Sequence, residues 1–233
     1  MGDLDLFRRN LREGSLAANL SDTELSSVFA LGAKKSYKRG SVLFRQGEVG
    51  DFAGFILKGA VKICAIAGDG KEIAFAYLGA GDTVGEISVL DGRPRTASGV
   101  VVEAAEVVVI DRRALRSFLL ERPEVALKTV EYMCDRLRRT NALLEADRAF
   151  ATETRLARAV IRLLEEHGRE EKQGARIFFR LSQGDLGAFA SLSRENVNRQ
   201  LKEWADLGVI ALESGQVIVR DRGALEAIAA LDD

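Results

Sequence analysis

The sequence predicts an α+β chain in three parts: a small all-β domain, one long helix, and a helical C-terminal domain that ends in a β-hairpin. Three observations carry this reading. Between Tyr37 and Asp111 brief β-rich runs are broken by glycine at short intervals, as in KRGSVLFRQGE, FAGFILKGAVKICAIAGDG and KEIAFAYLGAGD. From Glu124 to Phe150 there is neither proline nor glycine. From Ser182 onward two short capped helical patterns are followed by a strand–turn–strand pattern. A chain of 233 residues, 47 % hydrophobic and 30 % charged, is large enough to bury two cores of moderate size.

At the N-terminus, MGDLDLFRRN lacks the apolar core of an export signal, and no apolar run reaches the length of a membrane span. A cytoplasmic protein with no membrane partner is expected. Residues 4–35 hold two short helical patterns, the second opened by a capping box of Ser21 and Glu24. The glycine-broken runs that follow predict small antiparallel strands in a compact barrel or jelly roll, with Gly40, Gly47, Gly59, Gly70, Gly81 and Gly92 as corners. ASGVVVEAAEVVVIDR adds two more strands, so that this domain ends near Asp111.

Inside it, the stretch Gly79–Ala97, GAGDTVGEISVLDGRPRTA, concentrates chemistry. Glu86 is an acceptor for hydroxyls, Gly85 lets main chain approach a ligand, and Arg95 beside Thr96 offers a guanidinium and a hydroxyl to a phosphate. The same residues also read as ordinary hairpin turns with a surface pair of Glu86 and Arg95.

A short helix over 112–122 is redirected by Pro123. In the long helix, Leu127, Val130, Cys134, Leu137, Asn141 and Leu144 recur at alternating steps of three and four, a heptad seam flanked by Arg136, Arg138, Arg139, Glu145, Asp147 and Arg148. Packing against its own domain would produce a similar stripe, but a polar Asn141 within it suits register fixing or a ligand lodged between two helices. Beyond a helix over 153–167, Ser182 caps a helix with Asp185 at its third position, and Ser193 caps the next, followed by Asn196. Val197, Leu201 and Trp204 anchor that second helix and leave Arg194, Glu195, Asn198, Arg199 and Lys202 exposed; a hairpin turning at Ser214-Gly215 follows. This is the pattern of a winged helix-turn-helix, in which Arg can read guanine and a carboxylate can accept from cytosine. A small helical domain with solvated charges is the plainer alternative.

Composition limits the rest. Lys and Arg number 34 against 35 Asp and Glu, a net charge of −1, so any DNA contact must come from a local patch doubled by dimerisation. Cys64 and Cys134 lie in apolar settings and are expected as buried thiols. The single histidine, His167, ends a helix in RLLEEHGREE. One histidine, no metal-ligand cluster and no activated nucleophile argue against an enzyme, a haem and any metal.

The run Gly85-Glu86-Ile87-Ser88, then Arg95-Thr96-Ala97, resembles the phosphate-binding cassette of the cyclic AMP receptor protein/fumarate-nitrate regulator (CRP/FNR) family of bacterial transcription regulators. With the long helix and the C-terminal segment, the resemblance spans essentially the whole chain. It implies an N-terminal cyclic-nucleotide-binding β-roll (a double-stranded jelly roll) over 1–122, a dimerisation helix over 123–150 and a winged helix-turn-helix DNA-binding domain over 151–233. In that family the residue matching Glu86 holds the ribose 2′-hydroxyl, and those matching Arg95 and Thr96 hold the cyclic phosphate. Those matching Thr140 and Asn141 reach the adenine, one from each subunit; Asn141 stands where the best-known member has a serine. Arg194, Glu195 and Arg199 keep the spacing of members that read a GTGA half-site. Ser182, Ser193, Asn196 and Lys202 match positions near the phosphate backbone, while Gly184 replaces a glutamine. The resemblance thus implies a homodimer joined through helix 123–150 and bound to double-stranded DNA, with RNA polymerase as a further partner and cyclic AMP as effector. Cyclic GMP, cyclic di-GMP or no effector are the alternatives on the same fold, and a cyclic-nucleotide-regulated protein-interaction module is the alternative of another class. An iron–sulfur cluster is not expected, because the N-terminal region has no cysteines.

Overall fold

The structure is a computed structural model that describes residues 2–11, 15–147, 151–171, 174–213 and 216–231, with side chains excepted for Arg139 and residues 142–147. Leu144 of the seam, the flanking Arg139, Glu145, Asp147 and Arg148, and the turn Ser214-Gly215 therefore lie outside the described side chains or residues. The chain divides into two compact units, Met1–Ala65 with Ala76–Thr140, and Ile66–Phe75 with Asn141–Asp233.

The first unit begins with α1 (Asp3–Arg9), a 3-10 turn (Leu16–Asn19) and α2 (Asp22–Phe29). Ser21 and Glu24 form the expected capping box. Six strands follow: β1 (Ala33–Tyr37), β2 (Val42–Phe44), β3 (Phe52–Ile66), β4 (Glu72–Gly79), β5 (Thr83–Val84) and β6 (Ser98–Asp111), with α3 (Glu86–Asp91) between the last two. Their order is β1-β6-β3-β4, with β2 on β6 and β5 on β3. β3 and β6 run antiparallel from Phe52 opposite Asp111 to Cys64 opposite Ser98, with register shifts around Lys58 and Ala60.

ASGVVVEAAEVVVIDR forms one strand, not the two expected. The reason lies in its surroundings. Successive side chains of a strand face opposite ways, and both faces of this pair are covered. Phe55, Leu57, Val108 and Ile110 join a core with Phe7, Leu25, Phe29 and Phe118 of the helices. Their neighbours Ile56 and Val107, with Val61, Val101 and Ala105, join a second core with Phe44 and Val84. Burial on both sides removes the polar alternation that would have marked one long strand. The six corner glycines all adopt positive φ, from 79° at Gly92 to 92° at Gly81.

α4 (Arg112–Glu121) and α5 (Pro123–Asp147), the latter up to Thr140, complete the described helices here. The first turns of α5 are anchored, with Val125 in the helical core and the Lys128 ammonium 2.8 Å from Glu24 of α2. The hydrogen bonds from Lys128 and from the Ser21 N–H hold the Glu24 carboxyl down at about 2. This pair therefore adds stability above the ordinary carboxylate range and loses it as pH falls toward 2. Farther along α5 the seam is open: Leu127, Val130 and Leu137 are 60 %, 56 % and 61 % exposed. The stripe is thus not packed on its own domain. Cys134 shares that exposure, against the expectation of a buried thiol, because it sits in this seam; Cys64 is buried.

The second unit contains α6 (Thr152–His167), β7 (Gly168–Glu171), β8 (Gly174–Ile177), α7 (Gln183–Ala190), α8 (Arg194–Asp206), β9 (Ile210–Glu213), β10 (Gln216–Val219) and α9 (Arg222–Ala229). The strands form one antiparallel sheet in the order β7-β8-β10-β9. Trp204 of α8 is fully buried and donates its indole N–H to Glu153 at 3.1 Å. His167 is also buried, with its ring 5.1 Å from that of Phe179.

Candidate nucleotide site and nucleic-acid interface

The glycine-rich turn before α3 sets up the cassette. Gly85 caps the helix with φ 77°, and a Cβ there would lie 2.7 Å from Arg95 Nη1, so both backbone and space require glycine. Arg95 is 3 % exposed. Its Nη1 donates to Gly85 O at 2.6 Å and its Nη2 to Phe52 O at 2.7 Å. The guanidinium lies 4.3 Å from the ring centre of Phe44 and 4.8 Å from that of Phe52. Nε is buried without a hydrogen-bond partner among the described residues. The carboxylate within ion-pair reach is that of Asp51, 3.7 Å away and largely solvated. Burial accordingly pushes the Arg95 pKa down, against the weaker pull of Asp51, Glu86 and Glu48. A buried cation with little compensating charge favours an anion beside it.

Thr96, the next residue, is exposed. Ser88 is buried and bonds Pro94 O at 3.3 Å, which ties α3 to the Arg93–Thr96 segment, while Ile87 is half-buried. The surface pair of Glu86 and Arg95 does not form. Glu86 is buried and takes a charge-assisted hydrogen bond from Arg136 of α5 instead. Burial lowers the Arg136 pKa, but Glu86 and Tyr132 outweigh it and the net shift is upward. Thr140, one helical turn on, donates to Arg136 O at 2.9 Å. Thr140 and Asn141 are both exposed.

Arg136 was legible only as a flanking charge of the seam. Its position four residues before Thr140 places both on one helix face, and that spacing was the available signal. A cavity of about 30 Å³ behind α3, lined by Thr83, Glu86, Leu90, Phe118 and Val125 among others, has room for water only.

In the second unit, Ser182 and Asp185 form a capping box on α7, and Ser193 caps α8 through the Asn196 N–H. The three residues between the helices make a tight turn with Ser191 in the left-handed region at φ 54°. Arg155 of α6 grips this turn, donating to Ala190 O at 3.0 Å and Ser191 O at 2.8 Å. Val197, Leu201 and Trp204 are buried, while Ser182, Ser193, Arg194, Glu195, Arg199 and Lys202 are exposed and Asn196 is half-buried. Arg199 approaches Asn196 Oδ1 at 3.4 Å. No carboxylate among the described residues pairs with Arg194, Arg199 or Lys202. A groove of about 480 Å³ runs past Ser182, Gln183, Gly184 and Arg194 to Leu212 and Val217 of the hairpin. Arg194, the capped start of α7 and the β9–β10 hairpin therefore share one side of this unit.

Comparison with known proteins agrees with both halves. Residues 34–122 match the cyclic nucleotide-binding domain, and residues 154–228 match the Crp-like helix-turn-helix domain. The chain is 36 % identical over 186 residues to a CRP-like cAMP-activated global transcriptional regulator of Mycobacterium tuberculosis, covering 79 % of this chain and 83 % of that one. It is 30 % identical to the cyclic AMP receptor protein of Thermus thermophilus, covering 94 % of this chain and 98 % of that one. Among solved structures, FixK2 from Bradyrhizobium japonicum superposes with a TM-score of 0.75 at 19 % identity, over 87 % of this chain and 99 % of that one, which speaks for the fold. With a cyclic-nucleotide roll, a long open-seamed helix and a winged helix-turn-helix in one chain, the protein belongs to the CRP/FNR family of bacterial transcription regulators, which are not enzymes.

Proposed function

We propose that the chain is a cyclic AMP-responsive regulator that dimerises through α5 and binds palindromic DNA with GTGA-type half-sites. The observation that carries the reading is Arg95: a buried guanidinium with an unsatisfied Nε and a largely solvated counter-charge, next to the exposed hydroxyl of Thr96. A cyclic phosphate supplies the missing anion there. Glu86 accepts from the ribose 2′-hydroxyl, with Gly85, Ile87 and Ser88 shaping the main chain around it. Because Glu86 is tied to Arg136, whatever occupies Glu86 acts directly on α5, and from α5 Thr140 and Asn141 reach the base. The effector works by favouring one arrangement of the dimer over others.

The open seam of α5 supports the homodimer, and Asn141 within it is the kind of polar residue that fixes register. In the DNA complex, Arg194 and Arg199 read guanine, Glu195 accepts from the amino group of cytosine, and Ser182, Ser193, Asn196 and Lys202 hold phosphates. RNA polymerase is the further partner of the DNA-bound dimer. Calorimetric titration with cyclic AMP and cyclic GMP, paired with fluorescence binding to a GTGA–TCAC duplex, tests the whole. Cyclic AMP should bind and strengthen duplex binding. A duplex held equally well with neither nucleotide bound would discard the effector and retain the regulator.

A further inference from the structure

The assigned DNA contacts leave Asn198, an exposed amide in the first two turns of α8, without a role. Arg194, Asn198 and Lys202 follow one another at steps of four, and Glu195 and Arg199 form the adjacent row. On a helix of 3.6 residues per turn these rows make a single face. Asn198 is therefore flanked along its row by two cations, with Glu195 and Arg199 beside it. It is exposed, like its neighbours.

Its amide is not left to rotate. Gln183, half-buried in the first turn of α7, donates its Nε2–H to Asn198 Oδ1 at 3.1 Å. This bond crosses from one helix of the helix-turn-helix to the other. It holds the Asn198 amide against α7. An amide oxygen has two lone pairs and an amide nitrogen two hydrogens. With one lone pair given to Gln183, Oδ1 keeps a second and Nδ2 keeps its donors. Adenine in the major groove shows a matching pair, the N6 donor and the N7 acceptor, which a side-chain amide meets in a bidentate way.

Resting on the DNA-binding reading above, we propose that Asn198 reads an adenine in the half-site and that Gln183 is its positioning residue. The pair adds an A·T requirement to the G·C requirements of Arg194, Glu195 and Arg199. A bidentate contact of this kind discriminates against the wrong base by roughly 1–3 kcal/mol, that is about 5- to 150-fold.

The test is selection, by the full-length protein with cyclic AMP present, from duplexes randomised across a half-site and its flank. It is run for wild type, Asn198→Ala and Gln183→Ala, each checked for folding by circular dichroism. Wild type should enrich an A·T pair at one position. Asn198→Ala should lose that preference about tenfold or more and keep the G·C preferences, and Gln183→Ala should weaken the preference at the same position alone. If Asn198→Ala keeps every preference, or loses affinity equally on all sequences, Asn198 touches no base and the proposal is overturned. If Gln183→Ala changes nothing, its positioning role is overturned. Wild type that selects no sequence would instead overturn the DNA-reading assignment, and this inference with it.

Discussion

Beside the phosphate-binding role proposed for it, Arg95 has a structural task that the cassette motif does not show. Its spacing to Glu86 suggests a ligand residue that could be removed without harm to the fold. The structure shows a guanidinium that also satisfies the carbonyls of Gly85 and Phe52 under two aromatic rings. Arg95→Ala should therefore abolish nucleotide binding and also cost about 1–3 kcal/mol of stability, the usual penalty for stranding buried polar groups. Thr96→Val separates the two tasks. Thr96 is exposed, so thermal denaturation should be unchanged while calorimetry shows weaker cyclic AMP binding; undiminished affinity would remove Thr96 from the phosphate site. In the second unit, Ser191 carries the one positive φ outside glycine among the described residues. Ser191→Gly should stabilise that unit by about 1 kcal/mol in chemical denaturation, since relief of left-handed strain exceeds the added chain entropy. Gly187→Ala should act the other way, because a Cβ there would lie 2.7 Å from Leu192 O.

Elements announced by local rules were legible in the sequence. Ser21, Ser182 and Ser193 cap helices where their spacing to Glu24, Asp185 and Asn196 predicts, since a cap depends on a handful of neighbouring atoms. Properties set by what lies across the fold were not. The single β6, the half-buried Gln183 held against α8, and the Arg136–Glu86 pair fifty positions apart in sequence all depend on residues brought together by folding. The exposure of Cys134 is instructive, because an apolar stripe shows that a face will be covered but not by what. If α5 pairs with a second α5 in parallel and in register, the two Cys134 side chains face each other across the axis. Their separation in such a seam falls within disulfide reach. Diamide, which takes two electrons and two protons from a thiol pair, should then give a dimer on a non-reducing gel. Cys134→Ser should abolish that band and Cys64→Ser, at a buried site, should leave it. A monomer band throughout would count against the parallel seam.

For the whole molecule, the question is how an anion at Arg95 changes what α8 does to DNA. A net charge of −1 gives the chain little general attraction to a polyanion, so affinity must come from the cationic face of α8, used twice in a dimer. The effector's influence is then one of geometry: it favours the arrangement in which two recognition helices meet successive major grooves, about 34 Å apart. In the function proposed above, the Glu86–Arg136 pair is where that influence would start, since it joins the proposed ribose acceptor to α5. A coupling of this kind is reciprocal by thermodynamic necessity. If cyclic AMP strengthens binding to a GTGA–TCAC duplex by some factor, saturating duplex must strengthen cyclic AMP binding by the same factor, typically about 5- to 150-fold. Calorimetry of cyclic AMP with and without duplex, set against fluorescence titration of duplex with and without cyclic AMP, measures both sides of the cycle. Arg136→Met keeps the length of the side chain and removes its charge, so it should shrink both factors together while each ligand still binds alone. Equal factors in wild type that survive this substitution would move the coupling away from Glu86 and α5, to whatever other path joins the nucleotide to the recognition helices.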